Sequence, residues 1–341
     1  MRNFLIVLVL VLFGVSCAQR SDTAKCIQVD VTKSCRVAVD VESELRIPLE
    51  STSASLIHSI QGMFVYDSLY VVYTDNRLLR FSSDGRFLGT IGTQGRGGEE
   101  YIGIWSAWQT KDGISVYDMN GKKLMKYNPE GVLLSKIPLT TAANAIPFQK
   151  ICPLSDSLNI GMTMYRGKTD IELAVYDESY TYVKTVGDLK LNDGLSLGYP
   201  FSSNGQEVLY WRNLENNIYA VDNMGNVSNK YRIDFGCNGI PSNKSFADSY
   251  EIISYLNSGK SLAGMIDRVT ETDNYVFFTY LFDGGKYVCL CNKPDETVTS
   301  FKFVNERMAE SVFLDAWLMK DNRILVAFEE SETVVLYKVF V

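Results

Sequence analysis

The chain contains 341 residues, with 33 lysines and arginines against 40 aspartates and glutamates, and it has a formal net charge of -7. This length exceeds what one small core needs and is compatible with one large all-β domain or with two domains. Since the charge is mildly negative and no cluster of lysine or arginine occurs, the sequence lacks the basic surface that contact with a phosphate backbone requires, and we expect no nucleic-acid partner.

Residues 1–16 predict an export signal. After a positively charged start, the stretch FLIVLVLVLFGV (Phe4–Val15) is unbroken by polar residues, yet it is shorter than the ~20 apolar residues that span a bilayer. The run ends in GVSC, which resembles the lipobox of bacterial lipoproteins, with Gly14 where leucine is commonest. This resemblance implies cleavage before Cys17 and a lipid on that cysteine. An ordinary signal peptide that leaves a free soluble protein is the alternative.

Residues 17–42 are predicted to form a lead between the lipid-bearing cysteine and the folded domain. Cys26 and Cys35 lie in this lead, where they could form a disulfide in an oxidising compartment or remain two thiols. Two further cysteines, Cys289 and Cys291, are two residues apart in an apolar run, which places both on one face of a strand. With one histidine in the chain and no CxxC pair, we interpret them as packing residues rather than zinc ligands.

Strand signals dominate the chain from about residue 43 onward. Short runs rich in Val, Ile, Leu, Tyr and Phe alternate with turn residues, which is typical of all-β proteins. The runs recur with successive spacings of 42, 48, 48, 48 and 69 residues between the segment ends Leu49, Ile91, Leu139, Gly187, Phe235 and Val304. A period in the forties with about four strands per period indicates a β-propeller.

Six such periods fill residues 43–341 and predict a six-bladed propeller of four-stranded blades. Glycines in turns such as SSDGR and NPEGV suit tight hairpins between third and fourth strands. The last period (Phe313–Val341) contains only three strands, whereas the strand-like SELRIPLE (Ser43–Glu50) precedes the first full period. We predict that this N-terminal strand completes the last blade and closes the ring, which removes an unpaired sheet edge.

One period is longer than its neighbours because of an insertion at about 240–260. Apolar residues from Phe246 to Leu256 recur there at helical spacing, with Ser245 as a candidate cap and Gly259 as a candidate end. We predict a single helix at this place, between the fourth and fifth blades.

The glycine-rich IGTQGRGGEEY (Ile91–Tyr101) follows the fourth strand of the first blade. A dinucleotide-binding loop would open a helix and be followed by an acidic residue about 20 positions later, but here the strand-like EEYIGIWSAW follows. A second motif, SYLNSGKS (Ser254–Ser261), lacks the first glycine of a phosphate-binding loop and follows a predicted helix instead of a strand. We interpret the first stretch as a crossover between blades and assign a phosphate site to neither.

The stretch DNRLLRFSSDGRFLGTIGTQGRGGEEY (Asp75–Tyr101) resembles the NHL-type repeat of six-bladed propellers. Together with the lipobox-like VSC, the later YDMNGKKLMKYNPEGVLLSKIPL and the insertion before ETDNYVFFTYLF, it makes nearly the whole mature chain similar to the six-bladed β-propeller lipoproteins of Bacteroidetes. Blades three to five match loosely. The resemblance implies a propeller in the cell envelope, held as an outer-membrane lipoprotein that faces the periplasm or the surface. It implies no assigned activity and no catalytic residues.

Candidate binding residues follow from propeller geometry, because the links between blades and the turns between second and third strands emerge on one face. Arginine side chains there suit carboxylates or phosphates, and aromatic rings stack on sugars. The ligand-binding candidates are His58, Arg96, Tyr101, Arg166, Trp211, Arg212 and Asn213. The alternative is that each is an ordinary turn residue and that Trp105, Trp108 and Trp211 pack between blades.

Calcium is a candidate cofactor, since six-bladed lactonases and related hydrolases hold it in the channel with acidic and amide oxygens. By position, Asp75, Asn76 and Asp283 are its candidate ligands. The single histidine, His58, could serve as a general base, but no serine or cysteine motif accompanies it, and we assign no catalytic residue.

Two functions are compatible with these features. The first is a non-catalytic, membrane-anchored binding or scaffold propeller that uses the inter-blade-loop face for a protein, peptide or glycan and needs no cofactor. The second is a channel-mouth hydrolase or lyase, with calcium as its candidate metal. An enzyme of this kind would bring three or more carboxylate or amide oxygens together near the channel axis, whereas a binding module would spread aromatic and arginine side chains over a rim.

Overall fold

The computed structural model describes residues 24–39, 45–110, 112–139, 148–163, 170–190, 198–241, 244, 251, 254–255, 258, 261–306, 308 and 310–340. Within them the chain forms six sheets arranged as the blades of one propeller, which confirms the predicted all-β, six-bladed fold. Cys17, Arg166 and most of the predicted helical insertion lie outside these residues. No helix in the described part of the chain is long and apolar enough to cross a membrane.

Three short strands and a 3-10 turn precede the first three blades along the chain. These N-terminal elements are β1 (Lys25–Gln28), the 3-10 turn η1 (Val31–Lys33), β2 (Cys35–Ala38) and β3 (Leu45–Pro48). Blade 1 contains β4 (Gly62–Val65), β5 (Leu69–Thr74), β6 (Arg77–Ser82) and β7 (Phe87–Thr90). Blade 2 contains β8 (Ser106–Thr110), β9 (Gly113–Asp118), β10 (Lys123–Tyr127) and β11 (Leu133–Pro138). Blade 3 contains β12 (Phe148–Pro153), β13 (Leu158–Thr163), β14 (Ile171–Asp177) and β15 (Tyr182–Lys190).

The other three blades follow the same antiparallel order. Blade 4 contains β16 (Phe201–Ser203), β17 (Val208–Trp211), β18 (Asn217–Val221) and β19 (Val227–Asp234), followed by the 3-10 turn η2 (Gly236–Asn238). Blade 5 contains β20 (Ala263–Glu271), β21 (Tyr275–Phe282), β22 (Gly285–Asn292) and β23 (Val298–Val304). Blade 6 contains β24 (Val312–Leu318), β25 (Ile324–Glu330) and β26 (Thr333–Val339), and its fourth strand is β3.

The middle strands of a blade are apolar on both faces because each blade is flanked by two others. In β5, the adjacent residues Val71 and Val72 are both fully buried although their side chains point to opposite faces. The outermost strands have weaker patterns, as in β11, where most residues are exposed. Burial on both sides therefore explains why the middle strands are nearly continuous apolar runs in the sequence.

Ring closure occurs as predicted from the sequence. β3 pairs antiparallel with β26, with Ile47 opposite Leu336 and Pro48 opposite Val335. Ile47 is 2% exposed and packs in the core between blades 6 and 1. The hairpin turn of blade 1 then rests on this strand, since a Cβ added at Gly85 would lie 2.0 Å from the carbonyl oxygen of Pro48. The glycine in SSDGR is thus required by this close approach as well as by its φ of +91°.

The predicted lead contains two strands that the sequence did not indicate. β1 runs parallel to β19 of blade 4, and β2 runs parallel to β23 of blade 5, so each blade gains a fifth strand. Residues 25–39, which we call the belt, bury Ile27, Val29 and Val31 in the core of blades 4 and 5. Cys26 and Cys35 carry exposed free thiols on different blades.

Candidate ligand site at the channel mouth

The first strands of the blades surround the central channel, and neighbouring first strands contact one another. Links such as 91–105, between β7 and β8, and turns such as 75–76, between β5 and β6, emerge at one end of the channel. We call this end the loop face. The glycine-rich stretch lies in the first of these links, where Glu100 Oε2 accepts a hydrogen bond of 2.6 Å from the Gly97 amide. The stretch forms a crossover between blades, as predicted. Backbone amides in its turns donate hydrogen bonds to acceptors within the same stretch.

Several of the predicted ligand residues belong to the packing between blades. Tyr101 and Trp211 are 1% and 2% exposed and lie in two different hydrophobic cores. Asn213 is also buried, and its side-chain amide donates to the carbonyl of Ile266 at 3.0 Å. These three side chains therefore join blades and do not face the loop surface. The sequence could not separate them from ligand residues because turns and buried ends of strands use the same residue types.

Arg212 lies on the loop face but is held by acidic side chains. It forms ion pairs with Glu172 of blade 3 and with Glu215 of its own turn, and it donates to the carbonyl of Lys190. Burial raises the pKa of Glu172, although the guanidinium stabilises its charge. Arg212 thus connects blades 3 and 4 through its ion pair with Glu172. Arg96 is exposed in the first inter-blade link.

Two of the three predicted calcium ligands make hydrogen bonds to other protein groups. Asp75 accepts a 2.7 Å hydrogen bond from His58 Nδ1 on the exposed surface, and Asn76 Oδ1 accepts from the Ile104 amide at 2.6 Å. Burial alone would raise the pKa of Asp75, but its hydrogen bonds, chief among them the one from His58, lower it. Asp283 lies in the corresponding turn of blade 5. Among the described residues, no group of three or more His, Cys, Asp or Glu side chains is placed to hold a metal ion.

A lysine that the sequence did not single out occupies the channel mouth. Lys150 lies on β12, the first strand of blade 3, and its Nζ donates to the carbonyl of Trp105 at the loop-face end of β8, 3.2 Å away. Burial lowers the pKa of this amine to about 8. Among the described residues, no carboxylate lies within ion-pairing distance of Nζ. Trp105, whose backbone carbonyl accepts this hydrogen bond, is 40% exposed.

The opposite wall of the channel carries a cation that is paired with a carboxylate. Arg268 of β20 donates through Nε to Asp315 of β24 at 2.9 Å and through Nη1 to the carbonyl of Gln61 at 3.1 Å. Lys286 Nζ lies 3.1 Å from the same aspartate, and the guanidinium stacks over Trp317 at 5.5 Å. Arg268 therefore links blades 5, 6 and 1, and its guanidinium, unlike the amine of Lys150, has a carboxylate partner.

These features define a six-bladed β-propeller whose loop face carries, at the channel mouth, an uncompensated lysine bonded to the backbone of an exposed tryptophan. The family model of a domain of unknown function, DUF4934, matches residues 41–337. The chain belongs to this family. A search of curated proteins gave no match.

Two proteins from Bacteroides species are among the solved structures that share this fold. A protein of Bacteroides fragilis NCTC 9343, described as an exported protein, is 14% identical with a TM-score of 0.70, and the match covers 93% of this chain and 100% of that one. A member of the DUF4221 family from Bacteroides vulgatus ATCC 8482 is 13% identical with a TM-score of 0.57, and the match covers 88% and 97% of the two chains. At these identities the likeness is one of fold.

Proposed function

We propose that this protein is a lipid-anchored binding propeller of the cell envelope that holds an anionic ligand at its channel mouth without transforming it. The lipobox-like GVSC supports attachment through Cys17, and the likeness in fold to a protein described as exported is in keeping with an envelope location. The outer membrane, facing either side, is the site we favour. The ligand is a protein, peptide or glycan that carries an acidic group.

The observation that carries this proposal is the uncompensated amine of Lys150. A half-buried ammonium without a counter-ion disfavours folding, because its charge has lost water and gained only one carbonyl oxygen. The low pKa of about 8 expresses the same cost. At pH 7 the amine is still mostly protonated, so a ligand carboxylate, sulfate or phosphate would supply the missing counter-ion in a poorly hydrated place, where ion pairing is strong.

Exposed apolar side chains elsewhere on the loop face can supply the rest of the binding energy. The exposed apolar side chains of the loop face are Leu56, Ile102, Trp105, Leu281, Met308 and Val312. An exposed indole suits the face of a sugar ring or an aromatic side chain. The combination of a ring-stacking group and one cation favours an acidic sugar or the carboxylate end of a peptide.

A binding experiment with charge-matched ligands tests this proposal. Acidic oligosaccharides should raise the Tm of the purified protein, and their neutral counterparts should not, because only a ligand of the native state stabilises it. Lys150→Met should abolish the shift, whereas Lys320→Met, which removes an exposed cation at the opposite end of the channel, should preserve it. Affinity should fall by up to about tenfold per pH unit above pH 8 as Lys150 loses its proton. Equal shifts by neutral ligands would contradict the proposal.

One observation favours the alternative function, a channel-mouth hydrolase or lyase. Asp267 lies on β20 next to Arg268, and its Oδ1 is buried without a hydrogen-bond partner among the described residues. Burial raises the pKa of this carboxyl, which is the condition under which an aspartate can deliver a proton. A ligand found by the Tm screen decides between the two functions. If it is chemically altered on incubation, and Asp267→Asn stops the change without stopping binding, the protein is an enzyme.

A further inference from the structure

A polar cavity of ≈300 Å³ lies on the outer rim of the ring, away from the channel. The belt forms one wall as it passes along blade 5, and strands β22 and β23 form the other. The lining residues are Ser34, Cys35, Arg36, Tyr287, Lys302 and Val304. The cavity therefore exists only because the belt is bound there, and it is large enough for a phosphate group with its ester substituents.

Two cations point to an anionic occupant. Arg36 comes from the belt and Lys302 from the outer strand of blade 5, and among the described residues no carboxylate lies within ion-pairing distance of either. The ion pairs of the belt lie elsewhere. Lys25 is 2.7 Å from Glu296, and Lys33 is 3.0 Å from Asp30, the residue that caps η1. An arginine fork together with a lysine is a combination that binds phosphate oxygens.

The position of this cavity relative to the proposed anchor selects a membrane as the source of the anion. Cys17 and Lys25 are eight positions apart (25 − 17 = 8), and eight residues span at most about 28 Å. Since Lys25 is fixed on the outer edge of blade 4 by its pairing with Tyr231, a lipid on Cys17 holds this edge near the bilayer. The next blade along the belt is blade 5, which carries the cavity.

We propose that the rim cavity binds the phosphate of an anionic phospholipid in the membrane that holds the Cys17 anchor. This inference rests on the anchoring part of the proposed function and is independent of the channel ligand. It orients the ring with the outer edges of blades 4 and 5 against the headgroups. Anionic headgroups attract basic residues within about 10 Å of the surface at ordinary ionic strength.

The thiol of Cys35 reports on the cavity directly. The full-length protein, purified in a neutral detergent, is alkylated with an uncharged maleimide, and the rates at Cys35 and Cys237 are followed by mass spectrometry. Both thiols are exposed, and Cys237 lies in η2, outside the cavity. Phosphatidylglycerol should slow the reaction of Cys35 about fivefold, the equivalent of about one charged contact, and should leave Cys237 unchanged. Phosphatidylcholine should protect neither thiol.

Variants separate a specific site from general attraction. Arg36→Gln and Lys302→Gln should each remove the protection, expressed as the ratio of rates with and without lipid in the same variant. Arg86→Gln, which removes an exposed cation from a turn of blade 1, should retain it. The proposal would be overturned if all three variants lost the protection of Cys35 equally, or if phosphatidylcholine protected Cys35 as well as phosphatidylglycerol does. Equal protection by inorganic phosphate would also overturn it, because the cavity would then be a free-anion site.

The same samples distinguish this inference from the anchoring on which it rests. Mass spectrometry of the N-terminal peptide shows whether Cys17 carries a lipid. An unmodified Cys17 would contradict the proposed anchoring, whereas a lipid-bearing Cys17 without protection of Cys35 would contradict the headgroup site alone.

Discussion

The two halves of the ring are completed differently at their outer edges. Blades 4, 5 and 6 each end on a strand from residues 25–48, namely β1, β2 and β3, whereas blades 1–3 end on their own fourth strands. On the covered side Ile27 and Val29 are 1% and 3% exposed, while on the open side Leu134 and Val183 are 52% and 50% exposed. Unpaired edges invite association with other chains, and residues 25–48 leave only short, four-residue strands at the outer edges of these three blades.

The same division recurs around the channel. In the covered half, Arg268 is compensated by Asp315, and Glu271 accepts from Lys293 at 2.9 Å as well as pairing with Lys230. In the open half, Lys150 meets a single carbonyl oxygen. Arg268 thus joins blades through its carboxylate partner, whereas Lys150 retains a charge that is available to a ligand. Substitutions in the two halves should therefore differ in size and even in sign.

The largest effect is expected at ring closure. Ile47→Asp places a carboxylate without a partner at a site that is 2% exposed, which should lower the free energy of unfolding by more than about 4 kcal/mol. Leu134→Asp makes the matched change on the open outer strand β11 and should alter it by less than about 0.5 kcal/mol. Urea denaturation of both variants measures the difference. Similar losses would mean that the covered edge is no more important than the open one.

Next in size is the loss of the compensated cation. Arg268→Met removes one member of a buried ion pair and leaves Asp315 with Lys286 alone, which should destabilise the fold by about 3–5 kcal/mol. The backbone at Arg268 has a φ of +54°, a strained value for a side chain other than glycine. The strain remains in the variant while the contacts that balanced it are gone. Unchanged stability in urea would show that the ring does not depend on this link.

Removal of the cation in the open half should raise the free energy of unfolding, whereas removal of Arg268 lowers it. Lys150→Met removes a charge whose pKa has fallen from 10.5 to about 8, so the variant should be more stable at pH 7 by about 3 kcal/mol. Between pH 8 and 10.5 the unfolded chain binds the proton that the native state has released, so the stability of the wild type rises with pH. The advantage of the variant should therefore disappear as pH approaches 10.5. A constant advantage from pH 7 to 10 would refute the shifted pKa.

The sequence predicted the fold in more detail than the site. The spacing of the strand runs, the three-stranded last period and SELRIPLE were sufficient for six blades and for closure by β3, because middle strands are apolar on both faces. The belt was missed because its pattern is short, with only alternate residues such as Ile27 and Val29 buried. Lys150 was missed because a lysine on a strand looks like any solvated residue until the neighbouring blade is placed beside it. For Trp211 the sequence left open a ligand role and packing between blades, because its burial depends on contacts with the neighbouring blade.

The smallest predicted effect asks how firmly the belt is held. Ile27→Val removes one methylene from the buried face of β1 and should lower the free energy of unfolding by about 1 kcal/mol. Val183→Ala, on the open outer strand β15, removes more carbon from an exposed position and should cost less than about 0.5 kcal/mol. Denaturation curves of the two variants under identical conditions provide the comparison. If Ile27→Val costs no more than Val183→Ala, the belt is detached in solution, and the rim cavity that depends on it cannot be a permanent feature of the protein.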